Sequence, residues 1–170
     1  VVNNELYAAG NFTASGATPC VMIARWDGAS WQPVGPGSGV VSAGSQACLT
    51  FYNGAIVLGG AFTSIGGVAA NGLAQWNGSQ WSAINGLSAG ASVTACSTFN
   101  GALIVGGKVN LPSQPVNYVA LWNGSIWSGI GPGYTGKVLG GSAGPSLFAF
   151  DTFQGDLYAG GDFFRAGSRV

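Results

Sequence analysis

A six-residue phrase bracketed by tryptophans occurs three times in the chain: Trp26-Asp27-Gly28-Ala29-Ser30-Trp31, Trp76-Asn77-Gly78-Ser79-Gln80-Trp81 and Trp122-Asn123-Gly124-Ser125-Ile126-Trp127. Asp-Gly or Asn-Gly between apolar runs is the strongest short-range hairpin signal, because both turn residues tolerate positive φ. Each phrase is therefore expected to close a hairpin whose two indoles share a face. A four-residue loop would pair them directly. A two-residue Asn-Gly turn would set them diagonally, still within reach of large rings.

A second phrase recurs alongside the first, an apolar strand that runs into glycine. It reads Leu6-Tyr7-Ala8-Ala9-Gly10, Ile56-Val57-Leu58-Gly59-Gly60, Leu103-Ile104-Val105-Gly106-Gly107 and Leu157-Tyr158-Ala159-Gly160-Gly161. Phe12, Phe62 and Phe163 follow three of the copies, and Val109 follows the other. Asn3-Asn4, Asn53-Gly54, Asn100-Gly101 and Gln154-Gly155 supply a turn before each strand. The last residues of these phrases are 50, 47 and 54 positions apart, and the Trp phrases 50 and 46.

Recurrence at about 40–50 residues with four short strands per period is the mark of propeller blades. Within one period the expected strands cover 47–52, 55–63, 72–76 and 81–84, with a small-residue loop at 64–71 and a Gly/Ser/Ala-rich linker at 85–92. No segment keeps a 3.6-residue apolar period with caps. Glycine inside a strand marks a bulge or a close backbone approach, so the doublets are expected where inner strands crowd. The Phe and Trp rings are expected where neighbouring units pack.

The expectation is an all-β chain of antiparallel four-stranded β-propeller blades, a partial propeller over 1–170 in units of approximately 1–34, 35–84, 85–130 and 131–170. That is about three and a half blades, where whole propellers have about 4–8. The phase of the repeat, opening at strand two of one unit and stopping after strand two of another, reads as part of a larger or assembled propeller. A β-trefoil, which also has three four-stranded units, is the alternative; the fourth glycine strand argues against it.

An apolar strand ending in Gly-Gly, then an aromatic, then the Trp pair, resembles the kelch-type repeat of β-propellers over the whole chain. The first aromatic of the pair is Trp where the common kelch pattern has Tyr. The sequence is closer to the kelch-like repeats of large secreted or surface proteins, strand-Gly-Gly-x-Phe-Thr followed by Trp-Asp/Asn-Gly-x-x-Trp. This resemblance implies the fold and an extracellular or cell-surface location. It leaves the activity open, because propellers carry many unrelated functions.

Charge sets further bounds. Only 6% of residues are charged, five basic against five acidic, for a net of zero, where globular proteins carry about 25%. No basic patch exists for phosphates, so nucleic acid is not an expected partner. No apolar run is long enough for membrane insertion as a helix. A weakly charged surface is poorly protected against association. The expected partners are other blades of the same chain, copies of itself, or glycans; an uncovered exterior rich in polar neutral residues is the plainer alternative.

Chemistry-bearing residues are few. The chain has no His, so Ser-His-Asp and Cys-His catalysis and His-based zinc sites have no basis here. No cofactor, metal or catalytic residue is expected. Asp151, Asp156 and Asp162 lie within twelve positions, carboxylates that suit a calcium site or a glycosidase pair, without an EF-hand spacing or anything in sequence that tunes them apart. Cys48 and Cys96 read as matching places in Ala47-Cys48-Leu49-Thr50-Phe51 and Ala95-Cys96-Ser97-Thr98-Phe99, with Phe150 as the third copy. A place that accepts Cys or Phe is a packing place. Cys20, in a loop of small residues, is open to a disulfide, with pairing unreadable from sequence.

Trp31, Trp81 and Trp127 are candidates for stacking on sugar rings, against the simpler reading of inter-blade packing. Asn11, Asn77 and Asn123 head glycosylation sequons, although Asn77 and Asn123 are also required by their hairpin turns. Two irregular segments, 108–118 and 131–145, are candidate binding loops. The functional expectation is a non-catalytic extracellular structural or adhesive repeat protein that self-associates through β edges or low-charge surfaces. The alternatives are a lectin-like, carbohydrate-binding propeller and a fragment of a propeller enzyme whose active-site residues lie outside this segment.

Overall fold

The computed structural model describes residues 5–35, 41–112, 118–130, 138–139, 146–162 and 165–166. Among them every strand pairing is antiparallel and no helix occurs. The first sheet has the order β1 (Leu6–Ala9), β4 (Ile23–Trp26), β5 (Trp31–Pro33), with a small side hairpin of β2 (Ala14–Ser15) and β3 (Thr18–Pro19) between β1 and β4 in sequence. The second is a meander of β6 (Val41–Tyr52), β7 (Ala55–Ile65), β9 (Leu73–Trp76) and β10 (Trp81–Ala83), with β8 (Val68–Ala69) folded back on the end of β7. The third repeats the meander as β11 (Ser92–Phe99), β12 (Ala102–Lys108), β13 (Val119–Trp122) and β14 (Trp127–Ser128). Then come β15 (Val138–Leu139), β16 (Ser146–Phe153), β17 (Asp156–Asp162) and β18 (Arg165–Ala166), paired as β16–β17 and β15–β18. Among the described residues these sheets close into no barrel.

The tight turns form for the reason their sequences suggest. Asn53-Gly54 and Asn100-Gly101 hold φ of 47° and 80°, and 48° and 77°. Gln154-Gly155 adopts the same shape at 52° and 86°. Two positive φ values in succession match the right-handed twist of the flanking strands.

Two expectations are corrected. The loop expected at 64–71 is a hairpin, in which Ser64 and Ile65 pair with Ala69 and Val68. Gly66 and Gly67, at φ 55° and 80°, make its turn. The first strand of the second sheet begins at Val41 and crosses register shifts before Ala47, so it is longer than expected. Of the candidate loops, 113–117, 131–137 and 140–145 lie outside the described residues.

The sheets stack in chain order, with an apolar layer between each pair. Leu58, Phe62, Ala74, Trp76 and Trp81 face the first sheet's Met22 and Ile23. Val57 and Leu73 pack from the other side of the second sheet against Val93, Leu103, Val105 and Trp127 of the third. Ala95, Ile104 and Val119 meet Leu147 of the next. Successive side chains of a strand point to opposite faces, so Ile56-Val57-Leu58 and Leu103-Ile104-Val105 must be apolar throughout. The first strand β6 lies against β11, and β11 against β16.

The glycine doublets sit at this crowded seam. A Cβ on Gly59 would lie 2.6 Å from Val93 Cγ1 of the next sheet, and one on Gly106 would lie 2.7 Å from Phe150 Cζ and 2.9 Å from Leu147 Cδ1. Among the described residues, Gly160, the same position in β17, would meet nothing within 4 Å.

Candidate functional site

The three Trp phrases form the same hairpin. Trp26 pairs directly with Trp31, Trp76 with Trp81 and Trp122 with Trp127. The loop therefore has four residues, which settles the choice left open by the sequence. Ring centroids are 5.5, 5.5 and 5.2 Å apart, a favourable tilted or edge arrangement. The first loop residue closes the turn through its side chain. Asp27 Oδ1 accepts from the amides of Ala29 at 2.9 Å and Ser30 at 2.8 Å. Asn77 Oδ1 accepts from Ser79 and Gln80, both at 2.9 Å. Asn123 Oδ1 accepts from Ser125 at 3.0 Å and Ile126 at 2.9 Å. Two backbone amides, with a side-chain hydrogen bond from Gln32, hold the Asp27 carboxyl down at about 2.

The candidate stacking residues part company. Trp81 and Trp127 are buried, 6% and 8% exposed, in the layers between sheets. The Trp81 indole N–H donates to the Val34 carbonyl at 3.1 Å, and that of Trp127 to the Asn85 carbonyl at 2.7 Å. Neither offers a free face to a sugar, which corrects the stacking expectation for both. Trp31 is half-buried and belongs to none of the apolar layers between the described sheets. It lines an apolar hollow of about 310 Å³ with Ala8, Phe12, Ala14 and Ala24. Asn11, Asn77 and Asn123 are all exposed; in the latter two the side-chain oxygen is engaged by the turn.

Two clefts recur between adjacent sheets at the hairpin ends. One, of about 430 Å³, lies between the second and third sheets and is lined by Asn53, Gln75, Asn77, Asn85 and Trp122. Tyr52 closes it, its hydroxyl donating to the Trp122 carbonyl at 3.4 Å. The other, of about 250 Å³, lies between the first and second sheets and includes Glu5, Tyr7, Arg25, Trp76 and Gly78. There the Arg25 guanidinium pairs with Glu5, and the Tyr7 hydroxyl donates to Glu5 at 2.7 Å. The Tyr7 hydrogen bond, then Arg25, lowers the Glu5 carboxyl. Burial, then Glu5, pushes the Tyr7 phenol up to about 12.

These cleft residues did not stand out in the sequence. The available signal was a single polar side chain inside an apolar third strand, Arg25 in Ile23–Trp26 and Gln75 in Leu73–Trp76. Among the described residues no polar or charged side chain is buried, and no three acidic or Cys side chains gather as a metal site. Asp156 and Asp162 begin and end β17, about 20 Å apart at strand rise, so the calcium reading of that trio has no geometry behind it. No helix among the described residues is long and apolar enough to cross a membrane.

The cysteine correspondence is corrected by one place. Cys48 pairs with Gly59, whereas Cys96 pairs with Val105 and Ala95 with Gly106. Cys48 therefore matches Ala95 and Ala149, while Cys96 matches Leu49 and Phe150. Cys20 is fully buried, its sulfur 3.9 Å from the Trp31 carbonyl oxygen, and unpaired.

Compared with known proteins, the chain matches no protein-family model and no curated protein sequence.

Proposed function

We propose that this chain is a non-catalytic, extracellular structural or adhesive repeat protein built of kelch-like propeller blades, which self-associates through β edges or low-charge surfaces. The observation that carries the reading is the contrast between filled and open copies of one seam. Gly59 and Gly106 are covered by the following sheet, whereas a Cβ on Gly160 would have no atom of the described residues within 4 Å. At the other end, Trp31 occupies the place that in later units seats an indole on the preceding linker. Phe148, Phe153 and Tyr158 are 57%, 63% and 53% exposed on the last two-stranded sheet, apolar surface of the kind that marks association. Low charge leaves little to oppose it.

Sedimentation velocity over a wide concentration range tests this. Association that strengthens with concentration, and is weakened by Gly160→Lys or Trp31→Lys with folding intact, is the expected result. A single concentration-independent species, equally unaffected by both substitutions, sinks it.

A second reading, glycan binding, is favoured by the larger cleft, where Asn53, Gln75, Asn77 and Asn85 set neutral hydrogen-bonding groups beside Trp122. Polysaccharide pull-down that is lost in Gln75→Ala but kept in Trp31→Ala would place a sugar there.

A further inference from the structure

Cys48 and Cys96 stand one repeat apart but one register place out of step. That single step puts them on opposite faces of their own sheets. Cys48 looks forward from the second sheet and Cys96 looks back from the third, so both enter the same layer. Both are partly buried against the cluster of Val57, Leu73, Val93 and Val105. Cys48, and the backbone of Gly59 that pairs with it in the ladder, are the groups that act on the Cys96 thiol. Gly59 allows the approach: a Cβ there would sit 2.6 Å from the Cys48 sulfur. Matching positions in other units hold Ala95, Ala149, Leu49 and Phe150, none of which bears a thiol.

We propose that Cys48 and Cys96 are a redox site, closing as a disulfide that staples the second sheet to the third. The oxidant class is a small-molecule disulfide, such as oxidised glutathione. The Cys48 thiolate attacks one glutathione sulfur, forming a mixed disulfide and releasing one glutathione thiolate. The Cys96 thiolate then attacks the Cys48 sulfur, forming the intramolecular bond and releasing the second. Two cysteine sulfurs are oxidised, one glutathione disulfide is reduced, and the two cysteine protons leave with the two glutathione thiols. Cys48, then burial, holds the Cys96 thiol well above the ordinary thiol range, which disfavours Cys96 as the first attacker on the oxidant. The closed loop contains β7 to β10, so the bond constrains most of one unit in the unfolded chain.

The experiment is equilibration of the full chain with glutathione buffers from fully reduced to fully oxidised. Thiol titration in denaturant after acid quench, non-reducing peptide mapping and thermal melts are the readouts. The expected result is loss of two of the three thiols, a linked peptide joining Cys48 to Cys96, and a melting midpoint raised by about 4–16 °C. Cys48→Ala abolishes the shift, and Cys20→Ala keeps it. Should Cys48→Ala fail to fold, Cys96→Leu, which installs the residue of the matching place in the second sheet, serves the same purpose. An unchanged thiol count, a linked peptide containing Cys20, a terminal glutathione adduct on Cys48, or a shift that survives loss of either partner overturns the proposal.

Discussion

The indole N–H of Trp127 donates to the backbone carbonyl of Asn85 at 2.7 Å, from the third sheet to the linker that leaves the second. Trp81 makes the same bond to Val34, one unit earlier. In each case the next residue is a glycine at positive φ, Gly86 at 109° and Gly35 at 83°. A Cβ on Gly86 would lie 2.5 Å from Trp127 Cδ1, and one on Gly35 2.9 Å from Trp81 Nε1. The linker glycine thus makes room for the ring, and the carbonyl before it receives the ring's donor.

This lock separates the three second tryptophans. Trp127→Ala is expected to cost about 3–5 kcal/mol, as a large ring leaves a packed layer. Trp127→Phe keeps most of the ring but removes the donor, and should cost about 1–3 kcal/mol. Trp31→Ala, on a ring that lies in none of the layers between the described sheets, should cost about 1–2 kcal/mol. Urea unfolding followed by tryptophan fluorescence measures all three. Equal losses at Trp31 and Trp127 would contradict the lock.

The glycine seam predicts a sharper split. Gly59→Val and Gly106→Val force a side chain into Val93 or into Phe150 and Leu147, and each should destabilise by about 1–3 kcal/mol through overpacking. Gly160→Val meets no atom of the described residues and should stay within about 0.5 kcal/mol of the parent chain. Denaturant midpoints at low protein concentration decide it. A Gly160→Val loss as large as that of Gly106→Val would mean that this face is occupied.

Much of this was legible from periodicity. The Trp hairpins, the Asn-Gly turns and the four-strand period follow from residues whose backbone demands are local, such as Asn53-Gly54 and Asn100-Gly101. What was not legible depends on register. Cys48 and Cys96 look equivalent when the neighbouring Ala and Thr are matched, but counting from the turn shifts one against the other. That one-place difference decides which face each thiol occupies. The side hairpin at Ile65–Val68 was hidden because Gly66-Gly67 resembles any flexible loop until its pairing is seen. The clefts at Gln75 and Arg25 arise between units, where no single repeat carries the pattern.

The turn at Asp27 has a pH signature. Its carboxyl is lowered from 3.8 to about 2 by the Ser30 and Ala29 amides. A depressed folded-state value means that the stabilising contribution is complete above the unfolded value of 3.8 and fades as pH falls through about 2. Glu5, also lowered, acts in the same direction. Carbon-detected NMR titration should show Asp27 ionising well below an ordinary aspartate. Asp27→Asn should remove its part of the acid sensitivity yet keep the turn, since Asn77 and Asn123 already serve there. An Asp27 titration near 3.8 would count against the turn geometry.

Strand β11 carries a bulge. The ladder skips between Val93 and Ala95, which leaves Thr94 outside the pairing and turns its hydroxyl toward the next sheet. Bulges commonly re-aim a side chain in this way. Thr94 Oγ1 donates to the Leu147 carbonyl at 2.5 Å, linking β11 to β16 across the seam where Gly106 also meets that strand. In β16 the skipped residue is Phe148, which is 57% exposed. A bond from the third sheet to the fourth should matter more to the terminal hairpin than to the rest of the molecule. Thr94→Val, which keeps the shape and removes the donor, should cost about 1 kcal/mol and speed hydrogen exchange in β16 and β17 while sparing β7 and β9. Thr94→Ser should restore most of the protection. Uniform loss across all sheets would mean that the bulge supports the fold generally and does not tie these two strands.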